Sequence, residues 1–264
     1  MIKPLKKLGQ NFLVNPKINQ EITRAAEITE GDVVLEVGAG TGLLTKKLVE
    51  TGVKIIAVEK DRNLIPALKK KFESQKNVII IQGDILKSNP QNYKLRTMNY
   101  KLVGNIPYYL TSHLIRIVLE DWPKPKTILF VVQKEVAKRI TAKPPKMSLL
   151  ALSVQFYADA KILKYISKEN FRPVPKVDSA LIKIIPKEKL PLAGEETKKF
   201  FKLARAGFSG KRKQILNSLS TGLKIKKEEL IVKLQEAGID SKRRPESLEI
   251  REWLKLSQIL SSQF

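Results

Sequence analysis

Apolar and polar positions along the chain fall into two regimes. Through the first part, short β-branched runs alternate with stretches spaced as amphipathic helices. Residues 32–37, 53–59, 77–82, 100–104 and 127–132 read as strands, rich in Val and Ile and bounded by turn residues. Between them, 41–50 puts Leu43, Leu44 and Leu48 on one helical face, and 61–74 opens on Asp61, a residue suited to a cap. Segments 111–120 and 134–141 carry the same helical spacing. Strands that alternate with helices of this length need crossover connections, so they pair in parallel. The pattern predicts a doubly wound α/β sheet.

The pattern then changes. Residues 147–157 read as a buried helix, and 160–166 and 178–185 as two strands joined by a Pro-rich link, predicting an antiparallel edge to the sheet. Pro186-Lys187-Glu188-Lys189-Leu190-Pro191 has the composition of a linker. Beyond it, 198–206, 212–219, 227–236 and 247–257 all have helical spacing, with Gly238 placed as a helix-ending glycine. The expected domains are therefore 1–186, built on the sheet, and 187–264, small and all-helical.

Composition narrows the partners. A chain of 264 residues with 42% hydrophobic content has room for a large and a small globular domain. Its 50 Lys and Arg against 26 Asp and Glu give a net charge of +24, the footprint of a polyanion partner. Cysteine is absent and His113 is the single histidine, which excludes disulfides, a cysteine nucleophile and a Cys- or His-rich metal centre. The longest apolar runs, 78–81 and 128–132, fall far short of the roughly 20 residues of a spanning helix. Gly9-Gln10-Asn11 interrupts the basic start where a signal peptide needs apolar residues. A cytoplasmic protein that binds nucleic acid is expected, with no metal and no membrane.

The segment Glu36-Val37-Gly38-Ala39-Gly40-Thr41-Gly42 follows a predicted strand and opens a predicted helix. Glycines there let the backbone approach a ligand at the carboxyl edge of the sheet. The spacing is Gly-x-Gly-x-Gly; a dinucleotide fingerprint would need glycine where Leu43 stands. By itself such a loop is as readily a bare strand-to-helix corner as a nucleotide site. Glu59 ends the next strand, where a carboxylate can accept from both ribose hydroxyls. Asp84, in Gln82-Gly83-Asp84-Ile85, ends the third, where it can accept from an adenine amino group while Ile85 contributes backbone. Three successive strand ends with ligand-type residues favour S-adenosyl-L-methionine over a dinucleotide, because no phosphate-binding lysine accompanies them.

Asn105-Ile106-Pro107-Tyr108 follows the fourth strand. An exocyclic adenine nitrogen is a weak nucleophile, its lone pair being delocalised into the ring. The Asn105 side-chain oxygen and the Ile106 carbonyl can accept its two N–H groups and stabilise the positive charge that develops. Pro107 fixes the turn and Tyr108 can stack on the base. Carbon-5 methylation of cytosine needs a cysteine nucleophile, which this chain lacks; transfer to an amino nitrogen does not. Phe171 lies in Phe171-Arg172-Pro173-Val174-Pro175-Lys176-Val177-Asp178-Ser179, where it either closes over the other face of a flipped base or anchors a Pro-rich turn. Lys211, Arg212 and Lys213 open a predicted helix with no acid nearby, and seven basic residues against Glu135 lie between Lys124 and Lys146; both suit phosphate contact.

In order along the chain, these motifs resemble the ribosomal RNA adenine dimethyltransferases, and among them the small-subunit methyltransferase A family. The resemblance spans Leu8-Gly9-Gln10-Asn11-Phe12-Leu13, the glycine loop, Glu59, Gly83-Asp84, Gly104-Asn105-Ile106-Pro107-Tyr108-Tyr109, Gln133-Lys134-Glu135-Val136-Ala137, the 171–179 loop, 208–213 and Arg244-Pro245-Glu246. It implies a Rossmann-like class I methyltransferase sheet and S-adenosyl-L-methionine as donor, with S-adenosyl-L-homocysteine as product. It also implies N6,N6-dimethylation of two adjacent adenosines in the 3′-terminal hairpin of 16S rRNA, on the pre-30S particle late in assembly, by a monomer. By the same match, Gln10, Asn11 and Leu13 join Gly38, Gly40, Gly42, Glu59, Asp84, Ile85 and Asn105 at the cofactor site. Lys211 stands where arginine is common and Ile106 where leucine is common.

Overall fold

The structure is a computed structural model and describes Leu5, residues 8–210 and residues 212–261. A two-residue strand, β1 (Phe12–Leu13), leads into α1 (Pro16–Ala25), N-capped by Asn15, whose side chain accepts the Lys17 N–H at 2.9 Å. Then strands and helices alternate as β2 (Val33–Val37), α2 (Leu43–Val49), β3 (Lys54–Glu59), α3 (Ile65–Lys71), β4 (Val78–Gln82), β5 (Tyr100–Asn105), α4 (Thr111–Glu120), β6 (Thr127–Gln133) and α5 (Lys134–Ile140). The helix α6 (Leu149–Tyr157) runs into β7 (Ala158–Ile166), followed by β8 (Phe171–Arg172) and β9 (Ser179–Pro186). The remainder is helical: α7 (Gly194–Gly207), α8 (Ile215–Leu223), α9 (Lys227–Ala237) and α10 (Ile250–Ile259).

The main sheet has the order β4-β3-β2-β5-β6-β9-β7. β2 to β6 are parallel, while β9 is antiparallel to both β6 and β7. The two late strands thus form the antiparallel edge, but β9 inserts between β6 and β7, with a bulge in β7 between Ile162 and Lys164. The chain winds outward from β2 to β4, then returns to the other side of β2 with β5. That reversal opens a crevice at the carboxyl ends of β2 and β5, where open α/β sheets bind ligands. β1 and β8 form a separate antiparallel pair, Leu13 opposite Phe171.

Two differences from the sequence pattern are local. The helix expected from Asp61 begins at Ile65; Asp61 instead starts a turn, accepting the Asn63 N–H at 3.0 Å. The helix expected from Arg212 begins at Ile215, leaving Arg212 and Lys213 ahead of it. At the opposite end of the sheet from the crevice, buried Asp32 ties β2 to its neighbours, with Lys101 at 3.0 Å and Lys126 at 2.7 Å. Burial alone would raise its pKa, but hydrogen bonds from Lys126, Thr29 and Lys101 outweigh that and hold it far below the carboxylate range.

The chain divides into two compact units, one of Met1–Lys138 and Ala158–Pro186, the other of Arg139–Tyr157 and Lys187–Phe264. The segment Arg139–Tyr157, which the sequence pattern put with the sheet, belongs to the helical unit. The reason is packing: Phe156 lies 4.8 Å from Phe200 and 5.1 Å from Phe201 between ring centroids. Among the described residues no helix is long and apolar enough to cross a membrane.

In the helical unit, Trp253 is fully buried and stacks on Phe208 at 5.4 Å. Gly207 lies beneath it; a Cβ there would come within 2.3 Å of Trp253 Cη2. Gly207→Ala is therefore expected to lower stability by about 2 kcal/mol through overpacking. Urea denaturation followed by tryptophan fluorescence measures this, and an unchanged midpoint would show that Trp253 moves aside freely.

Candidate active site

The glycine loop leaves β2 as an irregular arc because Gly38, Gly40 and Gly42 all have positive φ, at 74°, 56° and 73°. This is why α2 starts only at Leu43. Gly38 and Gly40 line an open pocket of about 770 Å³ at the crevice, where their missing side chains leave the backbone bare to a ligand. A Cβ on Gly40 would meet Phe12 Cδ1 at 3.0 Å, so the loop passes close under the N-terminal segment. Gly42 faces the other way, packed against Phe72 and Leu68, and begins α2.

Glu59 is the hub of the pocket wall. Its Oε2 accepts the Gly40 N–H at 2.8 Å and its Oε1 the Asp61 N–H at 2.8 Å, so one carboxylate holds the loop and the turn after β3. Burial pushes its pKa up, with these backbone donors pulling the other way. Glu59 also lines the pocket, and a carboxylate oxygen has capacity for a further donor. Asp84 lines the same pocket at the end of β4. Its Oδ1 accepts the Leu86 N–H at 3.2 Å and its Oδ2 pairs with Lys60 at 2.8 Å. Burial would raise Asp84, but Lys60 and the Leu86 N–H bring it below the carboxylate range. Ile85 is buried beside it.

Asn105 ends β5 across the pocket. Its side-chain Nδ2 donates to the Asn11 carbonyl at 2.7 Å, which leaves Oδ1 as the acceptor. The next turn is rigid: the Ile106 N–H donates to Val131 at 3.1 Å, and the Pro107 carbonyl accepts from Leu110 at 2.9 Å. The half-buried Tyr108 ring is fixed by a 2.9 Å hydrogen bond between its hydroxyl and that of Ser179. Gln10 and Asn11 complete the lining from the N-terminal segment, where Gln10 Nε2 donates to Asp61 at 2.9 Å.

Three expected residues stand elsewhere. Leu13 is buried in the core and borders a smaller adjoining cavity that Gly38, Gly40 and Asn105 also line; Gly42 packs against Leu68 and Phe72 at α3. Phe171 is fully buried in the same core, paired with Leu13 on the β1–β8 ribbon, so its side chain cannot close over a base. The anchoring alternative is the one its burial fits. Conversely, Lys60 and Tyr109 line the pocket without having been singled out. Tyr109 repeats the tyrosine of the acceptor motif and stays 59% exposed at the rim, a signal that was available in Tyr108-Tyr109. In the helical unit Arg212 and Lys213 are exposed; Lys211 lies outside the described residues.

One strand in from Glu59, on β2, Glu36 is buried behind the loop. It accepts the Thr45 hydroxyl at 2.6 Å through Oε2, and its Oε1 has no partner among the described residues. Burial, opposed by the Thr45 hydrogen bond and reinforced by the Glu59 charge, pushes its carboxyl up to about 7.

The fold and this pocket define a class I methyltransferase: a glycine loop and two strand-end acids on one wall, an amide-and-carbonyl acceptor motif on the other. A family model described as ribosomal RNA adenine dimethylase matches residues 2–262. A ribosomal RNA small subunit methyltransferase A from Dehalococcoides mccartyi is 44% identical over 255 residues, 97% of this chain and 88% of the relative. One from Clostridium acetobutylicum is 39% identical, covering 96% and 92%. Among solved structures, a dimethyladenosine transferase from Plasmodium falciparum superposes with a TM-score of 0.80 at 28% identity, covering 96% and 98% of the two chains. The 23S rRNA methyltransferase ErmE gives 0.78 at 27%, covering 95% and 100%. The chain belongs to the ribosomal RNA adenine dimethylase family and is a methyltransferase.

Glu36 makes folding pH-dependent. Its ordinary value of 4.5 rises to about 7 in the fold, so the folded state holds an extra proton between the two and loses stability as pH rises through that window. Glu36→Gln keeps an acceptor for Thr45 and removes the titration. It is expected to match the parent at pH 4 and exceed it by about 3 kcal/mol at pH 8 in urea denaturation. Equal stability at both pH values would mean that Glu36 is ionised in the fold.

Proposed function

We propose that this pocket binds S-adenosyl-L-methionine and that the chain dimethylates N6 of two adjacent adenosines in the 3′-terminal hairpin of 16S rRNA. Shape and donor set fit the cofactor: Gly38 and Gly40 leave room for its tail, Glu59 accepts ribose hydroxyls, and Asp84 with the Ile85 backbone meets the adenine edge. When bound, the cofactor supplies an electrophilic methyl group on a sulfonium sulfur, leaving S-adenosyl-L-homocysteine. The chain's own residues do the rest. Asn105 Oδ1 and the Ile106 carbonyl accept the two amino protons of the target base, turn its nitrogen lone pair toward the pocket and stabilise the charge that develops. The Tyr108 ring, held by Ser179, offers a face on which the base stacks. The observation that carries this reading is the Asn105 amide, locked with its nitrogen on Asn11 and its oxygen left for the substrate.

The small-subunit target is supported by relatives named for that activity at 38–44% identity. Likeness to ErmE favours a second reading, methylation of 23S rRNA. Assays on undermethylated 30S particles and on protein-free 23S rRNA separate them. In the favoured reading the enzyme works in the cytoplasm as a monomer, late in 30S assembly, with the pre-30S particle as partner.

Asn105→Ala is expected to lower single-turnover methyl transfer by about 10²–10³-fold. Binding of S-adenosyl-L-homocysteine, measured by calorimetry, should stay within about threefold, since the glycine loop, Glu59 and Asp84 remain. Full activity would remove Asn105 from the chemistry. RNA contact is assigned to Lys211, Arg212 and Lys213. Neutralising Arg212 and Lys213 together is expected to reduce the slope of log affinity against log salt by about 0.7–0.9 per lost phosphate contact. An unchanged slope would make them ordinary solvated cations.

A further inference from the structure

We propose that the Gln10–Asp61 hydrogen bond is a positioning device for the acceptor amide: it holds the N-terminal segment so that the Asn11 carbonyl fixes which end of the Asn105 side chain faces the substrate. The inference rests on the methyltransferase reading above and assigns roles to two residues outside the acceptor motif.

The two ends of an asparagine amide are nearly the same size and opposite in hydrogen-bonding sense. Rotated by half a turn, Asn105 would present an NH2 to an amine and repel the substrate it should grip. Its nitrogen is held by the Asn11 carbonyl at 2.7 Å, and that carbonyl lies in an irregular segment just ahead of β1. The side chain that ties this segment down is the neighbouring Gln10. Its Nε2 donates to Asp61 Oδ2 at 2.9 Å, and its Oε1 accepts the Leu5 N–H at 2.6 Å. Both ends of Gln10 are thus engaged with protein, which suits a positioning role better than ligand contact.

Asp61 is itself well held. It is 4% exposed, its Oδ1 accepts the Asn63 N–H at 3.0 Å, and its own N–H donates to Glu59 Oε1 at 2.8 Å. A continuous set of hydrogen bonds therefore runs from Gly40 through Glu59 and Asp61 to the segment that orients Asn105. The wall that takes the cofactor and the wall that takes the base are referenced to one another through Gln10. Loss of this tie lets the segment shift while the cofactor wall stays in place.

The experiment compares Gln10→Ala and Gln10→Glu with the parent; the second keeps the size of Gln10 but sets a carboxylate against Asp61. In cofactor-free protein, the Asn105 side-chain amide is followed by nitrogen–proton NMR, assigned by its absence in Asn105→Ala. The parent should show two well-separated amide protons, and both variants should bring them together as the Asn11 contact is lost. Single-turnover methyl transfer to undermethylated 30S particles, read at saturating cofactor so that any change in cofactor affinity is separated from it, should fall by about tenfold or more in both. In the Asn105→Ala background, Gln10→Ala should cost nothing further, because its effect passes through that amide. Unchanged amide signals, a parent-like transfer rate, or a full further loss in the double variant would each overturn the inference. No transfer by the parent chain would overturn the methyltransferase reading, and this inference with it.

Discussion

The carboxylate of Glu59 is the constraint on which the site's geometry depends. It is 6% exposed and takes one backbone N–H on each oxygen, from Gly40 and from Asp61. Only an ionised acid does this well: a glutamine would set an NH2 against one of those donors and leave two N–H groups in conflict. The two bonds reduce the cost of burial, because donors aimed at the charged form make up part of the loss of water, although burial still holds the carboxyl above its ordinary value. The loop that must bend through three left-handed glycines is thereby fastened at its middle residue. Lys71 fastens it from the other side, donating to the Thr41 and Gly42 carbonyls at 2.8 and 3.2 Å.

Strand order then decides what faces that loop. Because the chain returns to β2 on its far side, the carboxyl end of β5 lies next to the carboxyl end of β2, Gly104 opposite Val37. Gly104 is required there: a Cβ would fall 2.5 Å from the Val37 carbonyl oxygen. Its lack of a side chain lets β5 run flush with β2 and delivers Asn105 at the pocket edge. The acceptor motif is thus placed by backbone packing in the sheet, and its orientation is refined afterwards by Asn11.

Much of this was legible in the sequence, for reasons that can be named. Parallel strands buried in a sheet read as β-branched runs, and their ends supply the residues that line the pocket; Gly38, Gly40, Glu59, Asp84 and Asn105 stand at those ends. What was hidden depends on tertiary partners. Helix 149–157 looks like any buried helix, and its packing with partners such as Phe200 and Phe201 assigns it to the helical unit. Phe171 among prolines reads equally as a lid or an anchor, and its pairing with Leu13 decides. Asp61 looked like a helix cap because its spacing is that of one; Gln10, which engages it, lies 51 residues away. Lys60 follows Glu59 directly, yet its partner Asp84 is on the next strand, so no local pattern announces the pair.

The proposed reaction brings together two ligands of opposite charge, a cationic sulfonium donor and a polyanionic RNA, on a chain whose net charge is +24. Burial separates the two fields. The acids proposed to meet the donor, Glu59 and Asp84, sit at strand ends in the crevice, buried and partly buried, where short-range interactions count most. Cations such as Arg212 and Lys213 stand in solvent, where they draw in phosphate over longer distances and salt weakens them. Lys60 lines the same pocket as the two acids. Its 2.8 Å pair with Asp84 holds its own pKa above the usual value and occupies one oxygen of the acid that would take the adenine amino group. The incoming base must therefore share Asp84 with Lys60 or displace it. Lys60 is half-exposed and long, so displacement costs little; the tightly held parts of the site are Glu59, the glycine loop and Asn105, and the yielding part is the lysine at the rim.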